Sequence, residues 1–236
     1  MRAVRLCFFQ MLTSVRQDMM LFAACLVPVL AGFFFRYAIP FAEAVLAEQF
    51  QTAAVIAPYY ALIDILLAML TPAMFSFVPA MVSLEEADEG TAAYLFVTPL
   101  GRNGYLLARF LLPSAAALTG TIVLLALFRL TALSAADMVL LAAAGTLQGM
   151  ILSMLIVTLS SNKLEGMAVA KLSSLMMLPA AVPFFIGGNV QYVMALFPSF
   201  WAGKAAAGQT PFYMLPAFAL SAGWLLLLLR RYLRKM

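Results

Sequence analysis

Residues 53–82 read AAVIAPYYALIDILLAMLTPAMFSFVPAMV, and this run decides the fold. Its thirty positions carry one charge, Asp64. As a helix the run is about 45 Å long, against a hydrocarbon core of about 30 Å. Cutting it at Asp64 leaves a first piece too short to cross a bilayer. It therefore reads as one long, tilted span that projects beyond the membrane, with Pro58, Pro72 and Pro79 as kink positions.

Working outward, five more apolar runs appear, at residues 19–39, 105–128, 138–160, 172–186 and 212–229. Of the 236 residues, 65% are hydrophobic and 10% charged. A soluble domain needs roughly a quarter charged residues to keep its surface wet, which excludes a soluble globular enzyme. The expected fold is all-α and integral to the membrane, with six transmembrane helices. Residues 1–18 form a basic amphipathic stretch, with Val4, Cys7, Phe8, Met11, Leu12 and Val15 at helical spacing. That pattern predicts an interfacial helix before the first span. Glu43 and Glu48 fall in a short outer segment, and residues 84–104 are the longest polar interruption. Residues 190–201 are apolar and aromatic but too short to cross, which predicts a re-entrant or interfacial segment before span six.

The whole chain, 1–236, reads as a single transmembrane domain, with loops too short for a nucleotide-binding domain. Phe22-Ala23-Ala24-Cys25 loosely matches a lipoprotein cleavage box. The apolar run continues well past it, so the segment reads as a retained span. With the N-terminus inside, Arg2, Arg5, Arg16, Arg102, Arg109, Lys163, Lys171, Arg230, Arg231, Arg234 and Lys235 lie on the cytosolic side. Arg36, Arg129 and Lys204 lie outside. The positive-inside bias and the even span count agree on two cytosolic termini in a multi-pass protein of the inner (cytoplasmic) membrane. The net charge of +4 thus reads as topology, not as a nucleic-acid footprint. Histidine is absent, which removes the commonest metal ligand and proton shuttle, and the two cysteines have no zinc-ligand spacing.

Glu85, Glu86, Asp88 and Glu89 hold four of the ten acids. By physics alone they are the polar start of a short cytosolic helix, where carboxylates favour the positive N-terminal end. The same pattern also suits a solvated cap. Gly90-Thr91, the apolar turn with Tyr94, Leu95 and Phe96, and Thr98-Pro99-Leu100 follow, and Arg109 sits early in span three.

This segment resembles the signature of ABC-2 type transporter permeases: an acidic cluster, Gly-Thr, a short apolar helix, Thr-Pro-Leu, and a basic residue opening span three. Gly90, Thr91, Thr98, Pro99 and Arg109 match residue by residue. Family members often carry a glutamate where this chain has Ala93. Phe197-Pro198-Ser199-Phe200-Trp201 echoes the outer re-entrant helices of similar proteins. Small drug-export permeases look most similar, haem-export permeases less so.

The resemblance implies a coupling helix between spans two and three that meets a cytosolic ATPase, with Glu85 and Glu86 available to pair with that partner. It implies two ATPase copies and a second permease subunit, identical or related. No cofactor is expected on this chain, and ATP and Mg belong to the ATPase. The function implied is export of an amphipathic or hydrophobic substrate. An intramembrane lipid- or peptide-modifying enzyme is the alternative, with no HExxH pair or clustered Asp motif to support it. An ion-coupled secondary transporter would rest on Asp64 alone. Asp64 itself reads either as a contact on the substrate pathway or as a hydrogen-bonded packing residue. Arg36 and Arg129 read as snorkelling side chains, and Gly145 and Gly149 as a small-xxx-small pair in span four.

Overall fold

The computed structural model describes residues 2–51, 53–208 and 210–235. All regular secondary structure among these residues is helical, with no strand. Six helices are long and apolar enough to cross a membrane: Met19–Phe50, Ala57–Asp88, Gly101–Phe128, Ala135–Leu159, Lys163–Phe185 and Pro211–Lys235. A surface helix, Arg2–Gln17, precedes them, and a seven-residue elbow helix, Thr91–Val97, joins the second span to the third. A short helix, Pro198–Ala207, lies before the sixth.

The second and fourth spans form the enclosed centre, while the first, fifth and sixth present most of their surface outward. What draws the central pair together is missing bulk. A Cβ on Gly145 would stand 2.0 Å from the Ala68 carbonyl oxygen, and one on Gly149 would stand 2.6 Å from that of Pro72. The Ala68 carbonyl faces Gly145 for a reason: Pro72 lies inside the second-span helix and has no N–H to give it. A glycine backbone can come right up to that orphan acceptor, and any side chain would hold it away. Gly166 plays a similar part at the fifth span, where a Cβ would meet Leu84 at 2.3 Å.

Helix ends depart from the hydropathy reading at three places. The first span does not stop near residue 39 but runs to Phe50, taking in Glu43 and Glu48. Glu43 is tolerated because its carboxylate accepts the N–H groups of Val55, at 2.9 Å, and Ile56. The fifth span starts at Lys163, nine residues before its apolar run. There the Asn162 side chain accepts the Glu165 N–H (2.8 Å) and Glu165 accepts the Ser161 N–H (2.7 Å). That near-reciprocal cap starts a helix regardless of hydropathy.

The third departure concerns the acids. Glu85, Glu86 and Asp88 are not the start of the elbow helix; they are the last turn of the second span. Wide turns of π-helix at Phe34–Ala38 and Leu107–Leu111 lie just before Pro40 and Pro113, whose missing N–H groups disturb the regular ladder.

The surface helix buries Cys7, Met11 and Val15 against the bundle, while Leu6, Phe9 and Leu12 face outward. Asp18 breaks it from the first span, accepting the Met20 N–H at 2.8 Å and the Leu21 N–H at 3.3 Å as an N-cap. Residues 190–201 divide into a turn of 3-10 helix at Asn189–Met194 and the start of the Pro198–Ala207 helix. Ser199 fixes that helix by donating to the Met176 carbonyl at 2.6 Å, and Trp201 donates to that of Ala195 at 2.7 Å.

Candidate coupling elbow at the end of the second span

Three carboxylates at a helix C-terminus oppose the helix dipole, which favours cations there. The structure answers with cations from two other elements, Arg109 of span three and Lys163 of span five. Arg109, fully buried, donates from Nε to Glu86 at 3.1 Å and from Nη2 to its other oxygen, forming a two-pronged pair. Tyr105, one turn earlier on the same face of span three, donates its hydroxyl to Glu86 at 2.9 Å. The third arm of Arg109 donates to the Cys7 carbonyl at 3.4 Å, tying in the surface helix.

Lys163 is the second hub. Its ammonium bridges Asp18 (2.9 Å) and Glu85 (3.2 Å), and its backbone N–H donates to Asp88 at 3.0 Å. The Lys163 ammonium holds the Asp18 carboxyl below the usual carboxylate range. This pair therefore stabilises the fold above an ordinary carboxylate pKa of about 3.9, and its contribution fades as pH falls through the lowered value. The surface helix and spans two, three and five thus meet in one ionic cluster. Glu85 and Glu86, expected to be available to a partner, are engaged inside the chain. Glu89 remains exposed.

Beyond the cluster the chain turns sharply. Gly90 adopts φ +71°, and Gly101 φ +62°, the left-handed conformation that side chains disfavour. Thr91 donates its hydroxyl to the Glu86 carbonyl at 3.1 Å. Thr98 ends the elbow helix, donating to the Leu95 carbonyl at 2.7 Å and accepting the Leu100 N–H at 3.3 Å, and Pro99 follows in the turn. Leu95 and Phe96 face inward, Phe96 edge-on to Tyr105 at 5.2 Å. Tyr94 and Val97 face outward, 74% and 85% exposed. Between the elbow and the surface helix lies a cleft of about 600 Å³, lined by Gln10, Asp18, Glu85, Glu89 and Tyr94 among others. Among the described residues, no three His, Cys, Asp or Glu side chains converge to hold a metal ion.

Sequence reasoning named most of the elbow but not Val97 on its outer face or Gly101 at its turn, and missed Asp18, Lys163 and Tyr105 as its anchors. Only Tyr105 left a signal, being one helical turn from Arg109.

Asp64 lies at the opposite end of the second span. Both of its oxygens are engaged: the Leu130 N–H donates at 2.8 Å, the Thr131 N–H at 2.9 Å, and the Thr131 hydroxyl adds a third bond. The side chain is 1% exposed. Arg36 donates to the Arg129 carbonyl at 2.8 Å, and Arg129 to that of Leu133, so both arginines fasten this same loop. Asp64→Ala is expected to orphan two backbone donors, at about 1–3 kcal/mol each. Its thermal midpoint should fall and loop 129–134 should become protease-sensitive, whereas Asp64→Asn should show a milder form of both. An Asp64→Ala protein with an unchanged midpoint and an intact loop would contradict the anchoring role.

No curated protein matches the chain. The family described as "Fluoroquinolones export permease protein Rv2686c-like" matches residues 11–231, a stretch that takes in the elbow, the first five spans and most of the sixth. With six apolar helices and that match, the chain belongs to this family of ABC-2 type exporter permeases and is a multi-pass membrane transport subunit.

Proposed function

We propose that this permease is the membrane half of an ATP-driven exporter that moves an amphipathic or hydrophobic substrate out of the cytosol. A separate cytosolic ATPase, in two copies, binds and hydrolyses ATP with Mg, and a second permease subunit, identical or related, completes the pathway. The chain is one permease domain lying in the cytoplasmic membrane with both termini inside, as its basic residues favour. The family's printed name makes a fluoroquinolone-type drug one candidate cargo.

The observation that carries this reading is the elbow's division of labour. Leu95 and Phe96 lock it to the bundle, while Tyr94 and Val97 stand bare on a loop-borne helix. Exposed apolar groups on a cytosolic loop suit a protein partner. Phe96 against Tyr105 then carries any displacement of the elbow into span three, while the Glu86–Arg109 pair ties span three to span two. Asp64 serves the pathway at one remove, by holding the loop after span three.

Replacing Tyr94 and Val97 together by Ser leaves the ionic cluster untouched. The double variant should insert and melt like the wild type. It should lose the ATPase subunit that co-purifies with the wild type, or lose substrate-stimulated hydrolysis. Normal association with normal stimulation would refute the coupling role of the elbow.

A further inference from the structure

At the end of the bundle away from the elbow, a cavity of about 470 Å³ lies between the second, fourth and sixth spans. The loop after span three and the Pro198–Ala207 helix complete its wall. A volume of this order suits a drug-sized ligand. Most of its lining side chains are apolar, Leu140, Leu141, Ala205 and Met214 among them, with Thr131 and Asp137 polar, and among the described lining residues only Asp137 carries a charge.

Asp137 lies in the first turn of span four, whose positive end favours a carboxylate, but no cation pairs with it among the described residues. Its carboxylate accepts one hydrogen bond, from the Ser134 hydroxyl at 2.7 Å. The cations of this end are held elsewhere. Lys204 lies on the same short helix as Ala205, but its ammonium sits 3.7 Å from the centre of the Tyr192 ring and 5.2 Å from that of Tyr213. Arg36 and Arg129 line an adjoining cleft that shares Thr131 and Ala132 with this cavity; Arg129 donates to the carbonyl of Leu133 in the cavity wall and reaches the Met138 sulfur at 3.7 Å, without pairing with Asp137. The wall formed by Thr131 is fixed by Asp64.

From this charge pattern we infer that the cavity is a binding site for amphipathic monocations, with Asp137 as the counter-charge and the apolar walls receiving the hydrophobic body. The inference rests on the export reading above and gives its substrate a charge. A lone carboxylate beside apolar walls favours a cation and repels an anion of equal size, and partial shielding from water strengthens both effects.

Tetraphenylphosphonium and tetraphenylborate have nearly one shape and opposite charge. Their binding to the purified permease in nanodiscs, without ATP or ATPase, isolates the site from coupling. The wild type should bind the phosphonium more tightly. Asp137→Asn keeps an acceptor for Ser134 and removes the charge, so its thermal midpoint should hold. Its phosphonium affinity should fall on the order of tenfold, the Coulomb attraction of the carboxylate being lost, while borate affinity stays or rises. Asp137→Glu should restore the preference, and Ala205→Trp should exclude both ions. Phosphonium affinity unchanged in Asp137→Asn, or a parallel loss of both ions, would overturn the inference. Failure of the elbow variants to uncouple hydrolysis would leave this result standing, so the two readings fail separately.

Discussion

Glu86→Lys is expected to leave almost no stably folded permease. Arg109 has no exposed surface, and Glu86 is the carboxylate that balances it, taking both Nε and Nη2. Removing one partner of a buried pair costs about 3–5 kcal/mol because the other charge stays behind without compensation. Reversing the sign adds repulsion between an ammonium and a guanidinium, and it also removes the acceptor of the Tyr105 hydroxyl. Native stabilities are only about 5–15 kcal/mol, so the loss is comparable to the whole. Size-exclusion profiles in mild detergent should show aggregated Glu86→Lys protein beside monodisperse wild type. Glu86→Gln should fall between them, since an amide still accepts but carries no charge. Replacing Glu86 and Arg109 together by Leu and Met should recover much of the stability, because a buried pair is often matched by apolar groups of similar volume. Glu89→Lys, on an exposed side chain, should melt like the wild type. A monodisperse Glu86→Lys protein with an unshifted midpoint would refute this account of the cluster.

The other large effect should come from the central seam. Gly145→Ala adds one methyl group 2.0 Å from the Ala68 carbonyl oxygen, a backbone atom with no rotamer to move aside. The second and fourth spans must separate, and overpacking of this kind costs about 1–3 kcal/mol. Gly145→Val should cost more, since its branches need the same space. The internal control is Gly223 in the sixth span, where a Cβ would meet nothing within 4 Å. There an alanine gains helix propensity of up to about 1 kcal/mol, so Gly223→Ala should be neutral or stabilising. Thermal midpoints of the two alanine variants should therefore shift apart, with Gly145→Ala the lower. Equal midpoints would mean that the spans pack more loosely than the seam suggests.

The six crossings were legible because lipid imposes one strong demand: about 20 apolar residues in a row. Helix ends were less legible because hydropathy follows the hydrocarbon while helices follow hydrogen bonds. Asn162 and Glu165 begin the fifth span in water, and Glu43 prolongs the first by finding donors across a turn. The elbow was visible in Gly90-Thr91 and Thr98-Pro99 through resemblance. The placement of its acids was not, because helix ends and dipole preference gave opposite answers for Glu85 and Glu86. What settled them was contact with Lys163 and Arg109, 78 and 23 residues away along the chain. Periodicity within one segment carries no trace of such a partner. Asp64 shows the same limit: an isolated acid in an apolar run is conspicuous, yet its donors are backbone groups of a distant loop, which no side-chain pattern announces.

The Asp64 bonds also bear on how the protein is made. Residue 64 leaves the ribosome long before residues 130 and 131, which supply its donors. Until then the nascent second span carries an acid that the bilayer interior disfavours, with no internal partner to accept in exchange. Those partners are gained only when the third span and the loop after it are in place. An acid that looks like a flaw in a membrane segment is thereby satisfied only within the hairpin of spans two and three.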